Sequence, residues 1–263
     1  MMKRFGLLVN REVQTGKRDL SIYALTIFLV LFASETINSF VAQYSRMGFA
    51  PAVYDGLFSN FLFIGGFIIT SLSFASDMFS KNGQHEWLML PATSFEKFMA
   101  KGVLSAFVYP IAIILLFFLT SVVTEPIQLL FFGNPVTLFN PFTGGLGSQL
   151  ASYWVWQSVF LLGATYFHKG HFFKTVLSIG GIGIALATLG LLFVKIIFSL
   201  KYGSSLRTFD VVFSFDRFLL DPASGAIGAF RALGKILYYV ALPIFCWVTA
   251  YFRVEEVQAT DAV

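Results

Sequence analysis

The sequence predicts an all-α polytopic membrane protein with six transmembrane helices, and composition, spacing and charge asymmetry each point to it. Of the 263 residues, 57% are apolar and only 12% charged, with a mean hydropathy of +0.76, whereas a soluble domain is typically about 25% charged. One water-facing domain cannot bury that much apolar surface, so lipid must solvate most of it. The apolar residues also fall into charge-free windows near the ~20 residues that span a bilayer core. The net charge is +4, but no basic run interleaved with aromatics occurs. The charge is therefore read as membrane topology and not as a nucleic-acid surface. A single cysteine, Cys246, excludes an internal disulfide framework and any multi-cysteine metal site.

Taken in order, residues 1–19 precede the first window. Phe5, Leu8, Val9 and Val13 share one helical side while Arg4, Arg11, Gln14, Lys17 and Arg18 point elsewhere, the pattern of an amphipathic helix resting on a membrane surface. The segment has no apolar core of the signal-peptide kind and is expected to stay attached. A transmembrane domain then occupies 20–252. Its spans are placed at 20–41, carrying Glu35, at 57–75 between Asp55 and Asp77, and at 103–123, kinked at Pro110 and left at Glu125. The 43 residues between Glu125 and Lys169 hold no charge. Pro126 to Gly147 is rich in breakers and reads as an apolar loop on or in the membrane, leaving 150–167 as the fourth span. The fifth, 175–198, carries Lys195, and the sixth covers 236–252.

With the N-terminus inside, eleven lysines and arginines lie on inner segments and six on outer ones. Both termini, including a tail at 253–263, are accordingly expected in the cytoplasm.

The inner loop 76–102 carries its own signals. Asn82 and Gly83 open a short helix through Gln84, His85, Glu86, Trp87, Leu88, Met89 and Leu90, which Pro91 stops. Thr93-Ser94-Phe95-Glu96 then forms a capping box, so a second helix runs through Lys97 and Lys101 into the third span. The expected product is a short cytoplasmic helix with Trp87 and Leu88 exposed, suited to docking a soluble partner. Anchoring of Trp87 in the lipid interface is the alternative.

The stretch Leu88-Met89-Leu90-Pro91-Ala92-Thr93-Ser94-Phe95-Glu96-Lys97-Phe98 resembles the leucine-rich Leu-Pro-Ala-Ser, x, x, Glu-Lys segment of ABC-2-type permeases, the membrane subunits of bacterial ATP-binding-cassette exporters. Thr93 replaces the more usual Ser and keeps the capping hydroxyl. The layout is similar too: basic amphipathic N-terminal helix, six spans, and a long outer loop before the sixth. The resemblance implies that residues near 83–90 are a coupling helix seated in a separate ATPase subunit, with His85, Glu86, Trp87, Leu88, Leu90, Pro91, Glu96 and Lys97 forming the coupling region. It also implies residence in the bacterial inner membrane. No G-x-x-x-x-G-K-[ST] motif occurs, so ATP and Mg would be held by the partner ATPase and no cofactor by this chain. Two permeases, identical or related, and two ATPases would complete such a machine.

Glu35 lies about 22 Å into the first span, with Lys195 somewhat further out in the fifth. The two could form an intramembrane polar pair, or Lys195 could snorkel outward while Glu35 ends the apolar segment. Gly180, Gly181, Gly183 and Gly190 form a small-residue face for close helix packing, within the subunit or, less favoured, at a dimer seam. The outer loop 199–235 is apolar, and Asp221-Pro222 opens an amphipathic or re-entrant helix in it.

Two other functional classes compete with this reading. An intramembrane enzyme is disfavoured because His85-Glu86 lacks the second histidine of H-E-x-x-H, Met89 standing there, and no G-x-S-x-G occurs. His168 and His171 read as a basic inner turn. No catalytic or metal-binding residue is assigned. An ATP-independent secondary transporter commonly carries inverted repeats, and no repeat between the halves is visible.

Overall fold

The computed structural model describes residues 2–44, 53–74, 78–79, 85, 87–133, 137–142, 145–167, 170–202 and 232–260, and its regular structure there is entirely helical. Helix α1 is Met2–Thr15 and α2 is Lys17–Tyr44, joined at Gly16. A rod over 53–72, α3, is built from Val53–Asn60, a π-helical turn Phe61–Gly65 and Gly66–Leu72. Helix α4, Ser94–Phe132, likewise contains a π turn at Leu104–Val108. Then follow α5, Leu146–Tyr166, α6, His171–Tyr202, and α7 over 232–260 with a π turn at Leu237–Ala241.

Four of these rods, Lys17–Tyr44, Ser94–Phe132, His171–Phe193 and Ala232–Glu256, are long and apolar enough to cross a membrane. Helix α3 holds a shorter apolar stretch, Gly56–Leu72. The polar side chains Gln157, Ser158 and Thr165 of α5 are buried, and they lower its hydropathy.

Contacts fix the directions. Tyr54 meets Thr124, Phe61 meets Tyr109, and the backbone near Ser73 meets Lys101, so α3 runs antiparallel to α4. Thr36 meets Gln128 while Glu12 meets Lys101, so α1–α2 run parallel to α4. Two cores stack along the bundle. One joins α2, α3, α4 and α5 through Leu31, Phe58, Leu62, Phe117 and Tyr153, with Phe139 covering it. The other, at the α1 end, gathers Phe74, Trp87, Phe98, Leu161, Ala250 and Val254.

Both π turns in the first core occur where side chains can repair the ladder, as an apolar interior requires. The Tyr109 hydroxyl donates to the Phe61 carbonyl at 2.6 Å. Pro110 has no N–H for the carbonyl of Ala106, and Trp154 Nε1 donates to that oxygen at 2.8 Å instead. Tyr153 Oη and Gln157 Nε2 reach the carbonyl and hydroxyl of Ser105 at 2.7 and 2.9 Å. Just before Pro110, where a kink is expected, the structure has a π turn at Leu104–Val108 whose carbonyls are met by α5.

Three expectations are corrected. The first part of the expected 126–147 loop is helix: α4 continues through Pro126 to Phe132 and ends at Gly133, whose φ of +67° gives the left-handed cap, while 137–142 is irregular. Proline without its N–H is tolerated where neighbouring helices support the rod. The small-residue face of α6 packs against none of the described residues, since a Cβ added at Gly180, Gly181, Gly183 or Gly190 would meet nothing within 4 Å. Trp87, expected on the surface, is buried at 4% exposure. Asn82, Gly83, Glu86, His168 and residues 203–231, with the Asp221-Pro222 helix start, lie outside the described residues.

Candidate functional site

Two polar assemblies sit at opposite ends of the bundle. The first begins with the capping box. The Thr93 hydroxyl accepts from the amide of Glu96 at 3.2 Å and Glu96 Oε2 accepts from the amide of Thr93 at 3.1 Å, as the spacing predicts. This fixes the first turn of α4 and thereby the positions of Lys97 and Lys101, one turn apart on one face.

Both lysines turn inward and are 5% exposed. Lys97 Nζ donates to the carbonyl of Trp87 at 2.5 Å and lies 5.5 Å from the centre of its ring. Lys101 Nζ donates to the Ser73 carbonyl at 2.6 Å, pairs with Glu12 Oε2 of α1 at 3.2 Å, and lies 5.4 Å from the same indole and 5.7 Å from Phe74. Two buried ammonium groups thus share one aromatic ring, a contact worth roughly 0.5–2 kcal/mol each where desolvated, and their charge is met by Glu12 and by carbonyl oxygens. The indole tethers the helical turn at 87–89 to α4 through Lys97 and Lys101 and to Phe74 beyond the end of α3, and Lys101 joins α1 through Glu12.

The side chains that face out are the neighbours of Trp87. His85, Leu88, Met89 and Pro91 are exposed, Met89 most of all at 83%. Leu90 is half-buried, and Glu96 is occupied by the cap. Sequence reasoning took Trp87 and Leu88 for a pair of docking residues; the structure separates them into a buried anchor and an exposed tip, with Met89 joining the tip. It also missed Lys101 and Glu12, whose spacing from Lys97 and placement on an amphipathic helix were the available signals.

The second assembly lies in the seam between α2 and α4, at the end away from α1. Glu35 and Glu125 are each 2% exposed within it. Glu125 is well supplied with donors: the amide of Thr137 reaches Oε2 at 2.8 Å and the Thr137 hydroxyl reaches Oε1 at 3.3 Å. Gln128 Nε2 donates to Thr36 Oγ1 at 3.1 Å, and the Tyr54 and Thr124 hydroxyls bond at 2.6 Å. Glu35 receives none of these bonds. Lys195 does not approach it; that residue lies exposed on α6, and among the described residues no ion pair joins the two. Reading Glu125 as the end of a span hid this seam, because the helix that continues past it carries Gln128 to the same face.

His171 is buried with its ring 5.2 Å from Phe79. An apolar groove of about 340 Å³ between α3, α5 and α6, lined by Phe63, Phe67, Trp156, Phe160, Phe172 and Val176 among others, offers little polar chemistry for selecting a solute. No family model, no curated protein and no solved structure matches the chain.

Proposed function

We propose that this chain is the membrane-spanning subunit of an ATP-driven exporter of the ABC-2 permease type, with six spans in the bacterial inner membrane and both termini in the cytoplasm. The observation that carries the reading is the clamped turn at 87–89, which presents Leu88 and Met89 to solvent while Trp87 is locked against Lys97 and Lys101. A rigid apolar tip of this kind transmits force: a push on it is delivered through the indole to α4, and through Lys101 and Glu12 to α1. Helices α3 and α5 supply the remaining two spans, since rods of about 20 residues reach about 30 Å.

On this reading the partner subunit holds ATP and Mg and performs hydrolysis, and a second permease, identical or related, completes the path. The test is affinity purification of the chain from its native membrane, with a Walker-motif ATPase sought among the proteins that come with it. The ATPase is expected to copurify with the wild-type chain and to be lost from Leu88→Asp plus Met89→Asp, which should elute as a folded, monodisperse protein. A chain that transports without any ATPase overturns the proposal and favours the ATP-independent carrier, for which the buried carboxylates of the α2–α4 seam are the supporting feature.

A further inference from the structure

The irregular segment 137–142 is held within the bundle. Thr137 binds Glu125 of α4 through its amide and its hydroxyl, and the buried ring of Phe139 lies 5.2 Å from that of Phe58 on α3 and 5.5 Å from that of Phe117 on α4. Helix α5 begins at the same depth. Its Gln157 meets Ser105 of α4 at 2.9 Å, and Leu146, about 17 Å further along the axis at 1.5 Å per residue, packs against the core that holds Leu31 and Phe117.

Helices α2 and α4 do not stop there. From Leu31 to Tyr44 and from Phe117 to Phe132, each continues about 20 Å past that level, and apolar side chains such as Ile37, Phe40, Leu129 and Leu130 stay exposed along the way. In the membrane reading on which this inference rests, lipid covers those side chains. Backbone outside any helix therefore lies at a depth where α2 faces lipid. The amides in the first turn of α5 also have no intrahelical acceptor, and Gly145 at the cap position has no side chain to offer them. Irregular backbone at membrane depth persists only where protein buries it or water reaches it. Protein does not bury this one, since Asn140, Gly147 and Ser148 are all exposed, and water is the remaining partner. Leu138 is exposed beside them, but one leucine in water costs less than unpaired backbone in lipid.

We propose that the end of the bundle away from α1 holds a water-filled vestibule, with α2 and α4 rising above its floor and with residues 137–142 and the first turn of α5 facing into it. Its occupant is water, and through water a hydrophilic solute reaches the first core from that side of the membrane. Nothing in it depends on an ATPase, so it serves a coupled or an uncoupled transporter alike.

The experiment reconstitutes the full-length chain in lipid nanodiscs, which leave both membrane faces open. Ser148→Cys and Ile37→Cys are each made in a Cys246→Ser background and reacted with a charged methanethiosulfonate. Ser148→Cys is expected to react at least about tenfold faster than Ile37→Cys, because the reactive thiolate forms in water and not in lipid. Deuterium exchange of the unsubstituted chain adds an arm free of mutation, in which the first-turn amides of α5 are expected to exchange at the earliest time point. Slow reaction at Ser148→Cys, or protection of those amides, overturns the vestibule and leaves the membrane reading standing so long as Ile37→Cys is slow. Fast reaction at Ile37→Cys puts α2 itself in water at that depth and overturns both.

Discussion

Lys101 does more bonding than any other single residue at the α1 end. Its ammonium meets Glu12, the Ser73 carbonyl and two aromatic faces, so removing it takes the donor from the carbonyl and leaves Glu12 with only Arg11, 3.9 Å away. Unmet groups of this kind cost about 1–3 kcal/mol each. Lys101→Met, which keeps the aliphatic stem, is expected to lower stability by roughly 2–4 kcal/mol, measured as thermal unfolding of the purified chain in detergent. Glu12→Gln should cost much less, because the lysine retains its carbonyl and its rings. A Lys101→Met effect no larger than that of Glu12→Gln contradicts this account. Thr93→Ala probes the neighbouring cap, and a loss of about 1 kcal/mol is expected from it.

At the scale of the helix, close approach separates glycines that must stay from those that need not. A Cβ on Gly66 would run into the Tyr153 ring, which is fixed by its own bond to the Ser105 carbonyl and stacked on Phe67. Gly66→Ala should therefore destabilise the chain by roughly 1–3 kcal/mol, while Gly180→Ala, facing open space, should leave the isolated subunit unchanged in the same unfolding measurement. The sequence made the rods legible because lipid demands long charge-free windows, and the Thr93–Glu96 cap legible because it is local. It did not reveal the two π turns of the first core, where Tyr109, Tyr153 and Trp154 arrive from elsewhere to satisfy carbonyls. The burial of Trp87 was hidden for the same reason: the lysines that cover it lie ten and fourteen positions on, upon another helix. Glu125 was misread because a charge beside a proline ends most helices in water, whereas here Pro126 sits within a supported rod.

The whole molecule places its two polar assemblies at opposite ends. Trp87, Lys101 and Glu12 share one end with the C-terminal half of α7, where Val254 enters the second core and Arg253 lies 5.6 Å from the ring of Tyr166. Glu125 and the 137–142 segment mark the other. Helix α1 and the end of α7 therefore lie at one end of the bundle. The proposed topology puts that end in the cytoplasm. Single-cysteine labelling tests the assignment directly in a Cys246→Ser background, that thiol being buried. Met89→Cys and Phe142→Cys replace side chains that are 83% and 92% exposed at the two ends. A membrane-impermeant maleimide is expected to label Phe142→Cys in spheroplasts and to reach Met89→Cys only after the membrane is opened. Labelling of Met89→Cys in sealed cells inverts the topology, and with the docking tip on the far side of the membrane from ATP, the exporter reading falls with it.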